Sequence, residues 1–475
     1  MNNYQNSFVS KTEIGIYSFA GGAQCLAYNL ITSYMMYFYV NVFNVDLRFV
    51  SAMLLFEGIW DLFNNPLAGI IVDRTRTKYG KMLPYLRNGA LPLALLTVLL
   101  FCGPFIITDT SPTAPSKILF MFFTYFLWET CYTLVDVSYW GLSAAISPSS
   151  SDRANISKNV SVAMNVFAAI PGVAVPLLLD YTSTDNSHFS TKTAFLSIGI
   201  LSAVLTGAFM IIASYKVKER VLQSEEKPSF KESFSEFFKN PLLRVLVLSN
   251  LTRFIEGIGW SVATYYYIDV LGYASLSILV AIPAAISWGF SYSFLNKLRQ
   301  CLQKKQIMLL AYLSIGIVWF TVFFAGTTFY NLPFVMIPAI MGAQLFNGLM
   351  GTPASVVYNE MMAEATDYTE WKTGKRNEGL SFSMKIVTQK MSGTLSQSAS
   401  SVLLSAIGYK TNNSSVRSLQ QNKVQKGIFN IFSLPIAISY LLAAVPFFFY
   451  NLDKTTHERM LMDLAERRET NNNQS

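Results

Sequence analysis

The 475-residue sequence has little charge and almost no histidine. Charged residues make up 13% of it and two residues are histidines, while 52% are hydrophobic and 14% are aromatic. Soluble domains carry about 25% charged residues, so the composition excludes an ordinary soluble domain and indicates a membrane protein. The cysteines form no evident disulfide framework, because Cys25, Cys102 and Cys131 fall in predicted helices and Cys301 in a predicted loop.

Several functional classes lack their sequence signatures here. No G-x-x-x-x-G-K-[ST] loop is present, which disfavours an ATP-driven transporter. His188 falls in a predicted outer loop and His457 in the C-terminal tail, so neither indicates the catalytic or metal site of a membrane enzyme. We therefore predict no catalytic residue. The N-terminus also lacks the charged region and short apolar core of a cleaved signal peptide.

Long apolar segments recur along the chain. A helix needs about 20 residues to cross roughly 30 Å of hydrocarbon, and segments of this kind lie six on each side of a polar stretch. The sequence therefore predicts an all-α polytopic membrane protein with twelve transmembrane helices. The predicted spans are residues 14–43, 49–72, 84–107, 117–145, 156–179, 193–215, 241–270, 273–295, 306–326, 332–362, 379–407 and 427–451.

The polar stretch divides the chain into two bundles of six helices. We predict an N-terminal bundle over residues 1–215, a cytoplasmic linker over 216–240, a C-terminal bundle over 241–452 and a cytoplasmic tail over 453–475. A basic loop, "DRTRTKYGK" or "NKLRQCLQKKQ", follows the second helix of each half. Such matched halves are typical of transporters that move two bundles around a site near the midplane of the membrane.

Lysine and arginine accumulate in loops on one side of the predicted bundles. Because basic loops stay in the cytoplasm, we expect both termini there, although the predicted outer loop at 409–426 is also basic. The net charge of +8 then indicates anionic lipid headgroups as partners, and no nucleic acid.

Ionisable side chains also occur within the predicted spans. Each costs a few kcal/mol or more at membrane depth, so such residues usually face a cavity or a partner. The set is too large to be accidental and predicts a polar pathway. Its members are Glu57, Asp61, Arg87, Glu129, Asp136, Lys158, Arg253, Glu256, Lys385 and Lys390.

Spacing assigns some of these residues to shared helix faces. Asp61 and Asn65 are four residues apart, as are Asp136 and Trp140, so each pair lies about one turn apart on one face. An acid beside an indole ring suits a sugar, whose hydroxyls need hydrogen bonds and whose C–H face stacks on a ring. The alternative is a structural polar residue that bonds neighbouring helices, with Trp140 in packing.

The C-terminal half carries two further charged pairs. Arg253 and Glu256 are three residues apart, and we interpret them as neutralising each other along the seventh helix, with a role in gating or substrate binding as the alternative. Lys385 and Lys390 are five apart and point to different faces, so only one is expected to line a cavity.

Four sequence motifs are similar to those of one family. "FYVNVF", "IWDLFNNPLAGIIVDRTRTKYGKMLPYL", "DVSYWGL" followed by "DRANIS", and "MMAEATDYTEWKTGKRNEGLSFS" resemble the glycoside-pentoside-hexuronide:cation symporters. This family, which includes melibiose permease, belongs to the major facilitator superfamily. The resemblance extends from helix one to helix eleven. It implies the major facilitator fold and cation-coupled sugar uptake.

The resemblance also implies residue roles. Asp61 matches the first of two cation-binding acids, and Asn65 stands where the second is expected, so a Na⁺ site would use both residues. Asp136 and Trp140 match residues that contribute to sugar and cation binding, and Lys390 matches a helix-eleven lysine.

Two matches to the family fail. Cys25 replaces a sugar-binding acid of helix one, and Ser161 replaces an arginine of helix five, with Lys158 as the nearest cation and a candidate substrate contact. Galactoside specificity is therefore not expected. The amide at Asn65 cannot carry a proton, which also puts the usual cation site in question.

Two acids outside the family pattern offer a replacement. Glu57 lies one turn from Asp61, and Glu129 lies two turns from Asp136, both displaced toward the same membrane face. We hypothesise that Glu57 with Asp61, joined by Glu129, forms a shifted cation site or a proton-titrating pair. The competing hypothesis is that coupling has weakened and that the protein equilibrates its substrate by facilitated diffusion.

Two polar loops are predicted to act as gates. Their charges can pair with neighbouring helix ends in one state and separate in another, and Gly80 permits a tight turn. The alternative is that the charges only fix topology. The predicted gating residues are Asp73, Arg74, Arg76 and Lys78 in the first half, and Asp367, Glu370, Lys372 and Arg376 in the second.

These observations favour a secondary active sugar or glycoside importer of the bacterial inner membrane, functional as a monomer and coupled to Na⁺ or H⁺, with no other cofactor. The alternatives that remain are an uncoupled facilitator, a carrier of lysolipids or other amphiphiles, and a non-transporting sensor with a transporter fold.

Overall fold

The structure is a computed structural model. It describes residues 8–183, 189–220, 240–373, 378–409 and 421–452, together with parts of 456–466. Within these ranges the regular elements are helices, and the one isolated β-bridge joins Thr77 to Gly80. The chain forms two compact units, which contain the helices before and after the predicted polar stretch.

The first unit holds the six helices of the N-terminal half. The predicted spans 14–43 to 193–215 fall on these helices, and α1 ends in a π-helical turn at Phe38–Val42. The helices are α1 (Lys11–Tyr37), α2 (Leu47–Arg74), α3 (Leu83–Ile106), α4 (Pro115–Ala145), α5 (Ser150–Thr182) and α6 (Thr191–Lys216).

The second unit contains the remaining helices. Its first span is broken into two pieces and ends in a π-helical turn at Tyr266–Val270, which matches the end of α1 and supports the internal repeat. The helices are α7a (Pro241–Thr252), α7b (Phe254–Tyr265), α8 (Leu276–Cys301), α9 (Lys304–Phe329), α10 (Pro333–Thr373), α11 (Glu378–Ala406) and α12 (Asn422–Phe448).

The lengths and compositions of these helices suit a membrane. Seven described helices are long and apolar enough to cross a membrane. The number is eight when α8 is counted as one span, although it bends by 57° between Ser291 and Ser293. The predicted all-α, twelve-helix fold is confirmed. The two largest differences from the predicted spans are that α7 is interrupted at Arg253 and that α10 runs on to Thr373, because the strong helix formers after its apolar segment continue the helix.

Two tyrosines hold α1 against α4 beside the residues predicted to bind sugar. The rings of Tyr17 and Tyr139 are stacked with centroids 4.4 Å apart, and each hydroxyl donates to the other residue's carbonyl, at 2.5 Å and 3.1 Å. A Cβ on Gly21 would lie 2.0 Å from the Tyr139 hydroxyl. The contact therefore requires glycine at this position of α1.

A glutamate in the segment after α6 binds the backbone between α2 and α3. The Glu219 carboxylate accepts hydrogen bonds from the backbone of Lys81, Met82 and Leu83 at 2.7–3.0 Å, which satisfies free N–H groups at the start of α3. Gly80 has φ +109°, and a Cβ there would lie 2.3 Å from the Glu219 carboxyl carbon. The predicted tight turn at Gly80 thus also provides space for the carboxylate.

The neighbouring Arg220 joins this segment to α1. Its guanidinium donates to both carboxylate oxygens of Glu13 at 2.8 Å and 2.9 Å, and to the Ile146 carbonyl at 3.1 Å. The hydrogen bonds to Glu13 raise the pKa of Arg220. The chain that leaves α6 therefore connects the ends of α1 and α4.

Candidate functional site

Four acids of α2 and α4 form what we term the acidic cluster: Glu57, Asp61, Glu129 and Asp136. Glu57 lies within electrostatic range of Asp61 and Glu129, and Tyr28 of α1 lies within range of Asp61, Glu129 and Asp136. Four of the predicted ionisable residues of the first unit therefore gather in one region. They lie at a depth where an isolated charge is costly.

Asp61 and Asn65 interact along α2 as their spacing predicts. The Asn65 amide donates to the Asp61 carboxylate and, at 2.8 Å, to the Asp61 backbone carbonyl. The amide is therefore a partner of the acid rather than a second charge. Pro66, which lacks an N–H, lies inside α2 directly after this pair.

Asp136 receives a hydrogen bond from α1. Gln24 Nε2 donates to Asp136 Oδ1 at 2.8 Å, while the adjacent Cys25 accepts a hydrogen bond from Asn29 at its sulfur, at 3.2 Å. Gln24 was not predicted from the sequence, because a single glutamine in a helix gives no signal of its partner. The Gln24 amide thus reaches Asp136 of α4 from the position next to Cys25, where the family carries an acid.

Glu57 differs from the other acids of the cluster. Its side chain is only 5% exposed, and within the described part of the chain neither carboxylate oxygen has a hydrogen-bond partner. An ionised carboxylate without donors is very costly to bury, whereas a protonated one is neutral. The geometry therefore favours the protonated form of this side chain.

Tyr28 lies among the cluster on α1 and was also missed by the sequence analysis. Its ring stacks on Tyr132 of α4, with centroids 5.1 Å apart and an interplanar angle of 22°. Tyr132 in turn stacks on Trp128 at 5.0 Å. A tyrosine carries no charge that would attract notice in an apolar segment, although its hydroxyl can donate to a carboxylate or to a sugar.

The predicted substrate residues are placed unequally. Trp140 lies one turn from Asp136 on α4, is exposed, and meets Tyr139 edge-on with centroids 5.6 Å apart. Lys158 is exposed on α5. Lys390 belongs to α11, but its side chain lies outside the described residues, as does that of Lys385.

The first predicted gate is an exposed turn. Arg74, Arg76 and Lys78 are exposed, Arg76 donates to the Thr75 carbonyl at 3.1 Å, and the Asp73 side chain lies outside the described residues. The carboxylate that fastens this turn is Glu219, which the sequence analysis did not select.

Part of the second predicted gate is helical rather than a loop. Asp367, Glu370 and Lys372 lie in the last turns of α10, and Arg376 lies outside the described residues. The Lys372 ammonium lies 4.4 Å from the centre of the Trp371 ring. Trp371 donates to Asp463 at 2.8 Å, so this end of α10 contacts the C-terminal tail.

An ion-pair network between α8, α9 and α10 was not predicted. Glu360 binds Arg299 and, at 3.4 Å, Lys304, which also binds Glu364. Tyr450 donates to Glu364 at 3.1 Å. Two acids four residues apart near the end of α10, opposite the basic "NKLRQCLQKKQ" loop, were the available signal.

Comparisons with known proteins show the family. The family model described as MFS/sugar transport protein matches residues 16–454. The chain is 28% identical to the uncharacterized symporter YnaJ of Bacillus subtilis, over 93% of this chain and 92% of that protein. It is 27% identical to the isoprimeverose transporter of Lactiplantibacillus pentosus (95% and 90%) and 25% identical to the glucuronide carrier protein homolog of Escherichia coli (96% of each).

Solved structures support the fold. The nucleoside transporter NupG aligns with a TM-score of 0.61 at 12% identity, over 94% of this chain and all of that one. A bacterial homolog of the human lysosomal transporter Spinster aligns with a TM-score of 0.60 at 12% identity, over 95% and 99%. The protein is a transporter rather than an enzyme, and it belongs to the MFS/sugar transport protein family, alongside glycoside-pentoside-hexuronide symporters.

Proposed function

We propose that this protein imports a sugar or glycoside across the bacterial inner membrane by alternating access, and that proton binding at Glu57 drives the import. Membership of a sugar-transporter family supports the substrate class. The basic loops support a cytoplasmic location for both termini. The transporter functions as a monomer.

The observation that supports proton binding is the environment of the Glu57 carboxyl. It is buried and has no hydrogen-bond donor among the described residues, and the acids Asp61 and Glu129 are near it. Burial and neighbouring negative charge both favour the protonated form. Release of this proton requires a change in surroundings, which alternating access supplies.

The remaining residues of the site take supporting roles. Asp61 and Asn65, with Glu129 and Asp136, shape the field around Glu57, and Asp136 with Trp140 offers an acceptor and an aromatic ring to the sugar. Gln24 positions the Asp136 carboxylate. We also assign Lys390 and Lys158 to the substrate pathway, and Asp73, Arg74, Arg76, Lys78, Asp367, Glu370, Lys372 and Arg376 to the gates.

A second candidate function is uncoupled facilitated diffusion. The observation that favours it is Asn65, which donates its amide to Asp61 where the family has a second acid. A pair that cannot hold a second charge binds a cation less strongly, because the electrostatic attraction is smaller.

Uptake into right-side-out membrane vesicles tests both functions. Labelled isoprimeverose, methyl β-D-glucoside and methyl β-D-glucuronide are offered under an imposed pH gradient, an imposed sodium gradient, or neither. We expect at least one sugar to accumulate when the outside is acidic. Accumulation driven by sodium alone contradicts the proton assignment, equilibration without accumulation supports the facilitator, and the absence of sugar entry contradicts both.

Glu57→Gln provides the residue-level test, because it removes the titrating group and keeps the shape. We expect it to abolish proton-driven accumulation and to preserve exchange of labelled for unlabelled sugar. Asp109→Asn, at an exposed position outside the cluster, is the matched control and keeps both activities. Normal proton-driven accumulation by Glu57→Gln contradicts the role of Glu57.

A further inference from the structure

The break in the seventh span lies beside other polar groups of the second unit. α7a ends at Thr252 and α7b begins at Phe254. Ser439 of α12 donates to the Thr252 carbonyl at 3.1 Å, and Ser396 of α11 donates to the Phe254 carbonyl at 2.6 Å. Irregular backbone at membrane depth is tolerated where protein or a cavity surrounds it. The break is therefore built into the packing of this unit.

A cavity of about 670 Å³ opens at the break. It lies between α7, α10 and α12 and is within the size range of about 300–1,000 Å³ that holds small ligands. Its lining includes Arg253, Glu256, Trp260, Asn347 and Tyr440.

Arg253 and Glu256 form an ion pair at the cavity wall. The guanidinium donates to Glu256 through Nε at 3.0 Å, and its Nη2 lies 2.9 Å from the same carboxylate oxygen, so the pair has no net charge. Glu256 is 8% exposed, whereas the Arg253 side chain is 42% exposed. A guanidinium has five N–H groups, so Arg253 retains donors for a ligand after it has paired with the acid.

The other oxygen of Glu256 completes a fixed arrangement. It accepts from Trp260 Nε1 at 3.2 Å and from the Tyr440 hydroxyl at 3.0 Å. That hydroxyl also lies 3.1 Å from the Asn347 oxygen. A phenol has one proton, so Tyr440 can donate to only one of these acceptors at a time. The other oxygen can therefore receive a ligand hydroxyl.

Trp260 supplies an aromatic surface of fixed orientation. Its ring meets Trp319 at 5.5 Å and 89°, and Phe432 at 6.1 Å and 77°. These edge-to-face contacts, together with the hydrogen bond to Glu256, leave the indole little freedom to turn. The cavity wall thus combines a ring with donors and acceptors for hydroxyl groups.

We propose that this cavity is a sugar subsite of the C-terminal unit and that Glu256 sets its charge preference. By neutralising Arg253, Glu256 makes the site select an uncharged pyranose ring over one that bears a carboxylate. Without Glu256, the guanidinium would attract an anionic sugar. This inference rests on the proposed sugar transport and names the class of sugar that one part of the pathway selects.

Two sugars that differ at one carbon test the preference. Methyl β-D-glucoside and methyl β-D-glucuronide compete for uptake of labelled isoprimeverose, and their direct binding to the purified protein is measured by calorimetry. We expect wild-type protein to prefer the glucoside and Glu256→Gln to shift the affinity ratio toward the glucuronide by about tenfold, the scale expected of one desolvated charge contact. Glu360→Gln, in the ion-pair network outside the cavity, is the matched control and leaves the ratio unchanged.

A second variant keeps the test independent of folding defects in Glu256→Gln. Tyr440→Phe keeps the ring and removes the hydroxyl, so it should weaken both methyl glycosides by a similar factor and leave their ratio unchanged. If the wild-type protein transports sugar and neither variant changes binding as stated, the subsite is wrong while the proposed function stands. If the wild-type protein neither binds nor transports any of the three sugars, both are contradicted.

Discussion

The two units each bury a glutamate in an apolar span and accommodate it differently. Glu57 of the first unit is 5% exposed and, in the described ranges, has no partner for either oxygen. Glu256 of the second unit is 8% exposed and receives hydrogen bonds from Arg253, Trp260 and Tyr440. The same residue type therefore has opposite charge requirements in the two units.

The difference assigns a different task to each acid. A carboxyl without donors is stable when neutral, so a proton can arrive and leave with a change of surroundings. A carboxylate that accepts hydrogen bonds from a guanidinium, an indole and a phenol is fixed in position, so its task is to hold geometry. We accordingly propose that proton binding belongs to the first unit and charge selection among sugars to the second.

The largest expected effect comes from the unpaired acid. Glu57→Gln should abolish uphill accumulation of sugar while leaving the unfolding temperature of the purified protein unchanged, because an amide replaces a carboxyl that is already neutral. Thermal unfolding in detergent and gradient-driven uptake are measured on the same preparation. A clear drop in unfolding temperature would show that the carboxylate has a structural partner and would remove the contrast with Glu256.

The paired acid should respond in the opposite way. Arg253→Met leaves Glu256 buried without its counter-charge and should destabilise the protein by about 3 kcal/mol, at the lower end of the range for buried pairs because Arg253 is partly exposed. The double variant Arg253→Met with Glu256→Gln should recover most of this loss. Equal stability of the single variant and the wild-type protein contradicts a structural ion pair.

A second arginine–glutamate pair, outside the predicted spans, sharpens the comparison. Arg220 is 26% exposed and binds the largely buried Glu13, which also accepts from the Lys218 backbone N–H at 3.2 Å. Because Glu13 keeps that donor, Arg220→Met should destabilise the protein by about 1–2 kcal/mol, as expected for hydrogen bonds to a charged group. Arg220→Lys, which keeps the charge but loses the two-pronged geometry, should lie between this variant and wild type. Chemical denaturation of the three proteins gives the order, and an effect as large as that of Arg253→Met would show that the remaining backbone donor does not compensate Glu13.

The smallest effect is expected at a pair in which both partners are substantially exposed. Arg299 and Glu360 are 41% and 35% exposed, and exposed ion pairs contribute about 0–1 kcal/mol. Glu360→Gln should therefore change the unfolding midpoint little, and added salt should remove the remaining difference. A loss that persists in high salt would indicate that the network holds α8 and α10 together through more than charge.

The sequence predicted the helices well because hydropathy acts over whole spans. Each predicted span falls on an observed helix, and the i,i+4 contact between Asp61 and Asn65 follows from helical geometry alone. The Arg253–Glu256 pair likewise lies within one turn of the chain. Contacts of this kind depend on nearby residues, so sequence spacing is sufficient to find them.

The contacts that a neighbouring helix supplies could not be read from the sequence. Tyr440 reaches Glu256 from 184 residues away, and Gln24 reaches Asp136 from 112 residues away. The break at Arg253 has neither proline nor glycine at its centre, and its carbonyls are satisfied by serines of two other helices. Packing creates these features, so spacing along one helix does not reveal them.

Sugar-induced proton movement tests the central claim most directly. Cells that produce the protein are de-energised in a weakly buffered medium, a transported sugar is added, and the external pH is followed. The account predicts that the medium becomes more alkaline as protons enter with the sugar, and that Glu57→Gln takes up sugar downhill without any pH change. Sugar entry without alkalinisation in the wild-type protein, or undiminished alkalinisation in Glu57→Gln, would contradict it.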